Sequence, residues 1–351
     1  MALTQPALRQ HDRPLRARRS CLAVPGSSPK MLEKAQGLPA DQVFLDLEDS
    51  VAPSAKEEAR DNVIQALREG DWGKKTRVVR VNDCTTPWTL RDLTAVVEAA
   101  GEHLDCIMIP KTQFDGQVQF VDHVLTQIEM AQGWEVGRIG LEIQIENAQG
   151  LVNARSILAA SERAEAFIFG PGDMAAALGM PSLTVGDIQP DYPGDHWHWV
   201  LYTVLVHARN VGIQAIDGPY AKVRDVEGFR EVARRSRTLG LDGKWVLHPA
   251  QIDVANEVYG VSQVDFERAR DILDAYAYAT SEEARGAVMF GDEMIDEASR
   301  KMAEANVVRG QAEGLVARET PEEVPFHERA AWRADHLDDR AATNDDEGEG
   351  D

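Results

Sequence analysis

Short apolar runs alternate with segments of helical spacing along most of the chain. The runs have the length and composition of strands, and between them apolar residues recur every three or four positions, as on one face of a helix. The predicted strands are residues 20–24, 42–47, 77–81, 106–110, 140–145, 166–169, 212–216 and 244–247. The predicted helices are residues 29–38, 55–69, 89–100, 117–131, 150–159, 197–210 and 226–239. This alternation indicates parallel βαβ units.

Eight strands are also the number that closes a (β/α)8 barrel, whose usual size is about 250 residues. We therefore predict an α/β protein with a TIM barrel over residues 15–260. An open, doubly wound sheet is the alternative, although no Gly-x-Gly-x-x-Gly motif follows the first strand, which weakens a dinucleotide-binding version. Residues 1–14 are predicted to be a flexible N-terminus, 261–312 a C-terminal helical extension, and 313–351 an acidic, disordered tail.

Charge and composition exclude several classes of function. The net charge of −22 argues against nucleic-acid binding, which requires a basic face. No run of 18 apolar residues could span a membrane, and the N-terminus lacks the apolar segment of a signal peptide, so the prediction is a cytoplasmic protein. The three cysteines, Cys21, Cys84 and Cys106, have no ligand spacing and are predicted to be reduced.

The strand at 140–145 and the residue after it carry polar side chains on one face, namely Glu142, Gln144 and Glu146. An ionised carboxylate is costly to bury without a partner, so this face must meet water, a cation or a ligand. A second strand, 166–169, is followed by Asp173. Two carboxylates at neighbouring strand ends can hold a hard divalent cation, and we predict Mg²⁺, or Mn²⁺ in its place, at Glu146 and Asp173. The alternative is that both residues cap the helices that follow.

Arg80 lies among apolar residues of a predicted strand, so its guanidinium needs a partner. One interpretation is a buried ion pair with Glu48. The other is a fork that binds a substrate carboxylate, a geometry that Arg supplies better than Lys. Both can hold together, and Glu48 and Asp49 could also orient metal-bound water. Lys111 follows the fourth strand as a further candidate.

Three further stretches carry candidate chemistry. The turn and helix start at 24–34 could bind a phosphate, aided by Lys30 and Lys34. His198, next to two tryptophans at a helix start, could contact a ligand, although packing is the simpler role. Asp296 lies in the C-terminal extension, where we predict helix over 253–277, a loop over 280–292 and helix over 293–312. It is either an exposed acidic residue at a helix start or a base brought to a barrel mouth.

Taken together, the motifs resemble the citrate lyase β-subunit-like superfamily of HpcH/HpaI aldolases, and more closely the malyl-CoA/β-methylmalyl-CoA lyases. The matching motifs are Val24-Pro-Gly-Ser27, Asp46-Leu-Glu-Asp-Ser-Val-Ala-Pro53, Val79-Arg-Val-Asn82, Ile107-Met-Ile-Pro-Lys111, Gln144-Ile-Glu146, Gly170-Pro-Gly-Asp173, Trp197-His-Trp199, Asp217-Gly-Pro219, Gly243-Lys-Trp-Val-Leu-His-Pro249 and Met294-Ile-Asp296. They cover roughly residues 18–305 in family order.

The resemblance implies a (β/α)8 barrel assembled as a homotrimer or homohexamer, with the C-terminal extension as a lid over a neighbouring subunit's site. It implies that Glu146 and Asp173 bind Mg²⁺, that Arg80 holds the α-keto acid, and that Asp296 is an acid/base supplied across the subunit boundary.

The resemblance further assigns contacts with the CoA thioester. These substrate-binding positions are Ala23, Val24, Lys34, Gly172, Asp173, Val246 and Leu247. Ser28 stands where some relatives carry an arginine for the CoA phosphates, and Lys30 is a candidate substitute.

The implied activity is reversible, Mg²⁺-dependent cleavage of malyl-CoA or β-methylmalyl-CoA to glyoxylate and acetyl-CoA or propionyl-CoA. On the same fold, a malyl-CoA thioesterase or malate synthase would hydrolyse the thioester, and a citramalyl-CoA lyase would release pyruvate. A citrate lyase β-like subunit that needs partner proteins is a further possibility. The residues alone do not decide which acyl group is preferred, because one methyl group changes binding by only about 1–3 kcal/mol.

Overall fold

The computed structural model describes residues 13–181, 184–189, 192–282 and 284–336. The chain divides into two compact units, a barrel unit that ends at Gly260 and a C-terminal unit that begins at Val261. Each unit has its own secondary structure and its own packed side chains, and we describe them separately.

Eight parallel strands form a closed barrel, which confirms the predicted fold. The barrel closes between its first and last strands, where Ser20 pairs with Lys244. The strands are β1 Ser20–Pro25, β2 Gln42–Asp46, β3 Thr76–Arg80, β4 Cys106–Ile109, β5 Gly140–Ile145, β6 Ala164–Phe169, β7 Gln214–Asp217 and β8 Gly243–Val246.

The helices surround the strands in the order that the sequence predicts. They are α1 Pro29–Gln36, α2 Lys56–Glu69, α3 Thr89–Ala100, α4 Asp115–Gln132, α5 Ala148–Val152, α6 Ala154–Leu158, α7 Pro171–Ala177, α8 His198–Asn210, α9 Val226–Leu239 and α10 Ile252–Tyr259. Two details differ from the prediction. The helix expected over 150–159 is divided at Asn153, and the short α7, which begins at Pro171, was not predicted.

Side chains alternate along each strand between two layers of core. Val43 and Leu45 of β2 pack outward against the helices, while Phe44 points to the barrel interior. The interior cluster comprises Cys21, Phe44, Val78, Cys106, Met108, Ala166, Ile168, Ile216 and Trp245. The buried Cys21 and Cys106 are free thiols, as predicted. Among the described helices, none combines the length and hydrophobicity that a membrane-spanning segment needs.

A buried arginine neutralises the carboxylates at the N-terminal end of the barrel. Arg18 precedes β1, and its guanidinium lies 2.8 Å from Glu142 Oε1 and 2.7 Å from Glu165 Oε2. The side chain of Gln42 completes the bonding of Glu142 at 2.9 Å. Glu142 therefore meets neither solvent nor a ligand: the cation that its burial requires is Arg18. Burial acts to raise the pKa of Glu165, but Arg18 and two further arginines lower it to about 2.

The C-terminal unit is helical, with one small hairpin. Its elements are α11 Gln263–Ser281, β9 Val288–Phe290, β10 Glu293–Ile295, α12 Glu297–Ala312 and α13 Arg329–His336. The helix predicted over 253–277 is interrupted by Gly260 and Ser262, and Ser262 caps α11. The predicted loop contains a strand, and residues 293–295 form its antiparallel partner instead of starting a helix.

Both chain ends differ from their predictions within the described residues. Arg13, expected to be flexible, donates a hydrogen bond of 2.7 Å to Glu165. In the segment predicted to be a disordered tail, α13 forms and Arg333 is only 4% exposed. Residues 1–12 and 337–351 lie outside the described part of the chain.

We expect Arg18→Met to lower the free energy of unfolding by about 3–5 kcal/mol, because a buried charge that loses its partner is strongly destabilising. Among the described residues, Arg18 is the one cation within 4 Å of Glu142. Urea denaturation measures the loss. The control is Arg91→Met, which breaks an exposed pair with Glu57 and should cost less than about 1 kcal/mol. Equal losses in the two variants would contradict this account.

Candidate functional site

A cavity of about 600 Å³ opens at the C-terminal ends of the barrel strands. It lies in the barrel unit, and strand-end residues from β1, β2, β3, β5, β6 and β8 contribute to its wall. The predicted site residues in its lining are Ala23, Val24, Lys34, Asp49, Arg80, Glu146, Gly172, Asp173 and Leu247. Many of the residues singled out in the sequence at the ends of strands therefore line one cavity.

Glu146 is a buried carboxylate with no ion pair. It is 1% exposed, and its oxygens accept hydrogen bonds from the backbone N–H of Lys111 at 2.7 Å and from Gln144 Nε2 at 2.6 Å. Within the described residues, no side-chain nitrogen of Lys, Arg or His lies within 4 Å of its carboxylate. Burial raises the pKa of Glu146 to about 8; Arg80 opposes this rise and the charge of Asp173 adds to it.

Glu146 does not cap the helix that follows it, because Asn147 accepts the N-terminal hydrogen bond of α5 from Gly150. Asp173 lies in the first turn of α7, and its side chain is 46% exposed. The capping interpretation is therefore wrong for Glu146. Both carboxylates line the same cavity.

Two backbone features bring the walls of the cavity close to Glu146. A Cβ atom at Gly170 would lie 2.2 Å from Glu146 Oε2, so only glycine allows this approach. Lys111 has a φ of 49°, in the left-handed region that is unfavourable for a residue with a side chain. This conformation accompanies the hydrogen bond from its N–H to Glu146.

The donor set fits a hard divalent cation. Mg²⁺ accepts one or two protein carboxylates, keeps several waters and leaves positions for substrate oxygens. Glu146 supplies a buried carboxylate that no cation among the described residues neutralises, and Asp173 supplies a second one at the same opening. Across the described ranges, no three His, Cys, Asp or Glu side chains are grouped as metal ligands, so water and substrate would complete the coordination.

Arg80 forms the predicted ion pair with Glu48, but its main partner is Asp46, which was not predicted. Arg80 Nε and Nη2 each lie 2.7 Å from an oxygen of Asp46, whereas Nη1 lies 3.3 Å from Glu48 Oε2. The ring of Trp245 stacks against the guanidinium, with its centroid 5.0 Å away. Although burial acts to raise it, the pKa of Asp46 falls to about 2 because of Arg80. Nη1 makes longer contacts than the other two nitrogens, and it also donates a hydrogen bond of 3.5 Å to Gln144 Oε1.

Glu48 and Asp49, which were predicted to pair with Arg80 or to orient metal-bound water, both form ion pairs with Lys111. Lys111 Nζ contacts Glu48 and lies 2.9 Å from both oxygens of Asp49. It also lies 4.0 Å from Asp173. Of these residues, Asp49 and Asp173 line the cavity, and Glu48 and Lys111 lie behind the lining. Through its backbone and side chain, Lys111 therefore connects the second strand end to both predicted metal ligands.

The remaining predicted residues are distributed unevenly. Lys34 is in the cavity wall, whereas Lys30 is exposed outside it. Val246 is buried in the core, so only its neighbour Leu247 reaches the cavity. His198 is exposed outside the lining and stacks on a tyrosine of its own helix.

The two tryptophans beside His198 have different environments. Trp197 packs edge-on against Phe169, with ring centroids 5.2 Å apart. Trp199 was expected to be a packing residue, but it is 67% exposed. Trp197 directly precedes α8, and Trp199 is the second residue of that helix.

Asp296 belongs to the C-terminal unit, where it is the N-cap of α12. Its Oδ1 accepts hydrogen bonds from the N–H groups of Ala298 at 2.9 Å and Ser299 at 3.1 Å. These bonds use one carboxylate oxygen and fix the side chain at the helix start. Asp296 is therefore at a helix start, as the simpler interpretation held, but it follows a strand directly and is half-buried rather than exposed.

Comparison with known proteins identifies the family. A model described as HpcH/HpaI aldolase/citrate lyase matches residues 19–249. An L-malyl-CoA/beta-methylmalyl-CoA lyase of Cereibacter sphaeroides is 42% identical over 313 residues, which cover 87% of this chain and 97% of the relative. The chain belongs to the HpcH/HpaI aldolase/citrate lyase family.

Other members of the HpcH/HpaI aldolase/citrate lyase family extend the comparison. A (3S)-malyl-CoA thioesterase of Cereibacter sphaeroides is 35% identical over 74% of this chain and 84% of its own. The structure of CitE from Mycobacterium tuberculosis in complex with magnesium, acetoacetate and coenzyme A is 29% identical. It covers 83% of this chain and 97% of that chain, with a TM-score of 0.63. The resemblance inferred from the motifs is confirmed, and the protein is an enzyme of the lyase type.

Sequence reasoning gave no site role to several residues that line this cavity, among them Asp46, Gln144 and Trp245. A signal for Asp46 was available, because Gln42, Phe44 and Asp46 share one face of β2, and the register pairs Asp46 with Arg80. Gln144 was placed on the correct face but given no role. The contact of Trp245 with Arg80 depends on barrel closure, which the order of residues does not show.

Because the pKa of Glu146 is about 8, a proton and a cation compete for its carboxylate at neutral pH. We expect the affinity for Mg²⁺ to fall about tenfold for each pH unit below 8, with release of close to one proton on binding at pH 7. Titration calorimetry in two buffers of different ionisation enthalpy measures both quantities. An affinity that is constant between pH 6 and pH 8 would contradict the expectation.

The raised pKa of Glu146 also predicts how the effect of Mg²⁺ on stability depends on pH, which gives a control measurement. In the metal-free protein, the stabilising contribution of protonated Glu146 is complete below about pH 4.5 and is lost as the pH rises through about 8. Mg²⁺ should therefore raise the melting temperature more at pH 8 than at pH 6. Glu146→Gln should remove this difference.

Proposed function

We propose that the protein is a Mg²⁺-dependent CoA-ester lyase that cleaves malyl-CoA, β-methylmalyl-CoA or both. The products would be glyoxylate and acetyl-CoA or propionyl-CoA, and the reaction would be reversible. The observation that carries this proposal is the buried, unpaired carboxylate of Glu146 beside Asp173 and Arg80 in one cavity. The 42% identity to a lyase with these substrates in its name supports the choice of acyl groups.

Glu146 and Asp173 would hold the metal, and Arg80 would bind the carboxylate of the glyoxylate half. Asp46 fixes the guanidinium by two hydrogen bonds, so its orientation is set before substrate arrives. Bound Mg²⁺ would supply Lewis-acid catalysis, lowering the pKa of the substrate hydroxyl. The hydroxyl proton would pass to water and a carbonyl would form, while the electron pair of the broken C–C bond would move onto the thioester as an enolate. Arg80 would stabilise negative charge on the glyoxylate oxygens.

Asp296 would complete the reaction by protonating the thioester enolate, and in the reverse direction it would remove the α-proton. We propose a homotrimer or homohexamer in which Asp296 reaches the cavity of a neighbouring subunit. Its Oδ1 is held by the start of α12, which leaves Oδ2 for proton transfer.

CoA would enter past the start of α1. Ala23, Val24 and Leu247 offer an apolar wall for the acyl chain, and Lys34 supplies positive charge at the cavity. Lys30 is exposed on the same helix and would meet the CoA phosphates only outside the cavity. This arrangement suits a long thioester better than a free dicarboxylate.

A thioesterase is the second candidate, because a (3S)-malyl-CoA thioesterase is 35% identical to this chain. The two activities differ in what they release from malyl-CoA. A lyase gives acetyl-CoA and glyoxylate in equal amounts, and a thioesterase gives free CoA and malate. Quantifying all four products with purified protein and Mg²⁺ tests the proposal, and free CoA without acetyl-CoA would overturn it.

The same assay distinguishes a citramalyl-CoA lyase and a citrate lyase β-like subunit from the proposed enzyme. Citramalyl-CoA as the preferred substrate would yield pyruvate. Activity that appears only after partner proteins are added would indicate a citrate lyase β-like subunit. Activity of the purified chain in the presence of Mg²⁺, and its loss in excess chelator, is the result that we expect.

Arg80→Lys tests the keto-acid fork. The substitution keeps the charge but loses the paired hydrogen bonds, and we expect kcat/KM for cleavage to fall about 100-fold. Arg77→Lys is the matched control, since Arg77 is on the same strand but pairs with Asp105 outside the cavity. Steady-state kinetics measures both. Similar losses in the two variants would remove Arg80 from the proposed site.

Asp296→Asn tests the acid/base. We expect it to slow the exchange of acetyl-CoA α-protons for deuterium in D2O by about 100- to 10,000-fold, to a small residual rate, while the affinity for Mg²⁺ stays unchanged. Asp292→Asn, a change at an exposed residue four positions earlier, should leave exchange intact. Exchange that survives in Asp296→Asn would assign the base to another residue.

Mixing subunits then tests the shared site. In an oligomer assembled at random from Asp296→Asn and Glu146→Gln chains, about a quarter of the sites would combine an intact Asp296 with a neighbour's intact Glu146. Activity should therefore reappear on mixing. No recovery in mixed oligomers would place both residues of a site in one chain.

A further inference from the structure

The hairpin that precedes Asp296 is too small to hold its own shape. Each of its strands, β9 and β10, has three residues, and an isolated two-stranded hairpin is at best marginally stable in water. Asp296 follows Ile295, the last residue of β10. Asp296 thus joins β10 to α12, and the support of the hairpin contributes, together with α12, to where its side chain lies.

One support comes from α11. Phe290 at the end of β9 and Ile295 at the end of β10 are buried in a cluster with Ala275 of that helix. Val288 packs against the same cluster, whereas Met289 and Met294 are exposed. Arg268 of α11 adds an ion pair of 2.9 Å with Glu293 and lies over the Phe290 ring, so α11 supports one side of the hairpin.

The second support comes from a segment near the end of the chain, residues 317–336, which we name the C-terminal strap. Phe326 of the strap packs at the margin of the same apolar cluster, with its ring 6.3 Å from Tyr278 of α11. His327 lies edge-on to Phe290 at 6.4 Å. A Cβ atom at Gly291, in the hairpin turn, would lie 3.8 Å from the Cβ of His327. The strap thus covers the side of the hairpin that α11 does not.

Buried ion pairs hold the strap on α11. Arg318 lies 2.8 Å and 3.0 Å from the two oxygens of Glu267. Arg333 contacts Asp271 and lies 3.0 Å from Glu267 Oε2, and it donates a further hydrogen bond of 2.8 Å to Thr320. Glu267, Asp271 and Arg333 are all buried. Charge pairs that are removed from water are screened little by salt, so the attachment is firm.

We infer that the C-terminal strap positions Asp296 for proton transfer by fixing the β9–β10 hairpin, with Phe326 and His327 as the positioning residues. This inference rests on the proposed function, in which Asp296 is the acid/base. The strap itself touches no reacting atom in this role. Its contribution is geometric, and a displacement of about 1 Å in a catalytic group can lower a rate about 100-fold.

Phe326→Ala in the full-length chain tests the inference. We expect deuterium exchange into acetyl-CoA to slow by about 10- to 100-fold, with the affinity for Mg²⁺ and the KM for acetyl-CoA within about twofold of the unmodified protein. Phe326→Leu, which restores an apolar contact, should recover most of the rate. Trp332→Ala is the matched control, because Trp332 is an aromatic residue of the same strap that stacks on His336 within α13. It should change the exchange rate less than about twofold.

The decisive comparison is a double-mutant cycle with Asp296→Asn. If the strap acts through Asp296, Phe326→Ala slows exchange in the unmodified chain and has no further effect on the residual rate of Asp296→Asn. An equal loss in both backgrounds, or a parallel loss of Mg²⁺ affinity, would make the strap merely structural and overturn the inference. If Phe326→Ala unfolds, as judged by circular dichroism, His327→Ala replaces it in the same cycle.

The cycle also separates this inference from the proposed function. Full exchange in Asp296→Asn alone would remove Asp296 from the chemistry, whatever the strap does. Loss of exchange in Asp296→Asn together with a Phe326→Ala variant that exchanges at the normal rate would keep the proposed function and reject only the role of the strap.

Discussion

The cavity depends on one constraint, the burial of a carboxylate that no described side chain neutralises. Glu146 receives two hydrogen bonds from neutral donors and has no ion pair among the described residues. Burial disfavours its charged form, so the site favours any cation that reaches it. Gly170 and the left-handed backbone of Lys111 bring the surrounding chain close to this oxygen pair. The local geometry therefore keeps the carboxyl group of Glu146 away from water, where its ionised form requires a cation.

Each end of the barrel contains a buried glutamate, and the two glutamates differ in whether an arginine pairs with them. Glu142 and Glu146 lie four residues apart on one face of β5 and just beyond it, and both are buried. At the N-terminal end, Glu142 is neutralised by a buried ion pair with Arg18, so this carboxylate has a structural role. At the C-terminal end the guanidinium that acts on Glu146, that of Arg80, is already held by Asp46. Arg18 therefore makes the buried Glu142 part of the stable core, whereas the position of Arg80 leaves Glu146 without an ion pair among the described residues.

The barrel could be predicted because strand and helix periods repeat in eight local units, and each unit contributes its charges at the same end. The site was predicted in outline for the same reason. The ion pair of Arg80 with Glu48 was predicted, but the closer partner Asp46 was not, because contacts between neighbouring strands depend on the register, which pairs Asp46 with Arg80. The strap was missed because few large apolar residues mark it; arginines paired with Glu267 and Asp271 attach it instead, and such long-range pairs leave no periodic signal.

Gly170 has a consequence for how such a protein can evolve. Because every other residue would push a side chain into the oxygen of Glu146, position 170 and position 146 are tied to each other. The added Cβ would also lie 2.4 Å from the Cβ of Glu146, so a descendant would gain room for a side chain at 170 only if glycine replaced the acid. Once that room was filled, restoring the acid alone would no longer rebuild the pocket. The original site could then be restored only if both positions, 146 and 170, changed back together.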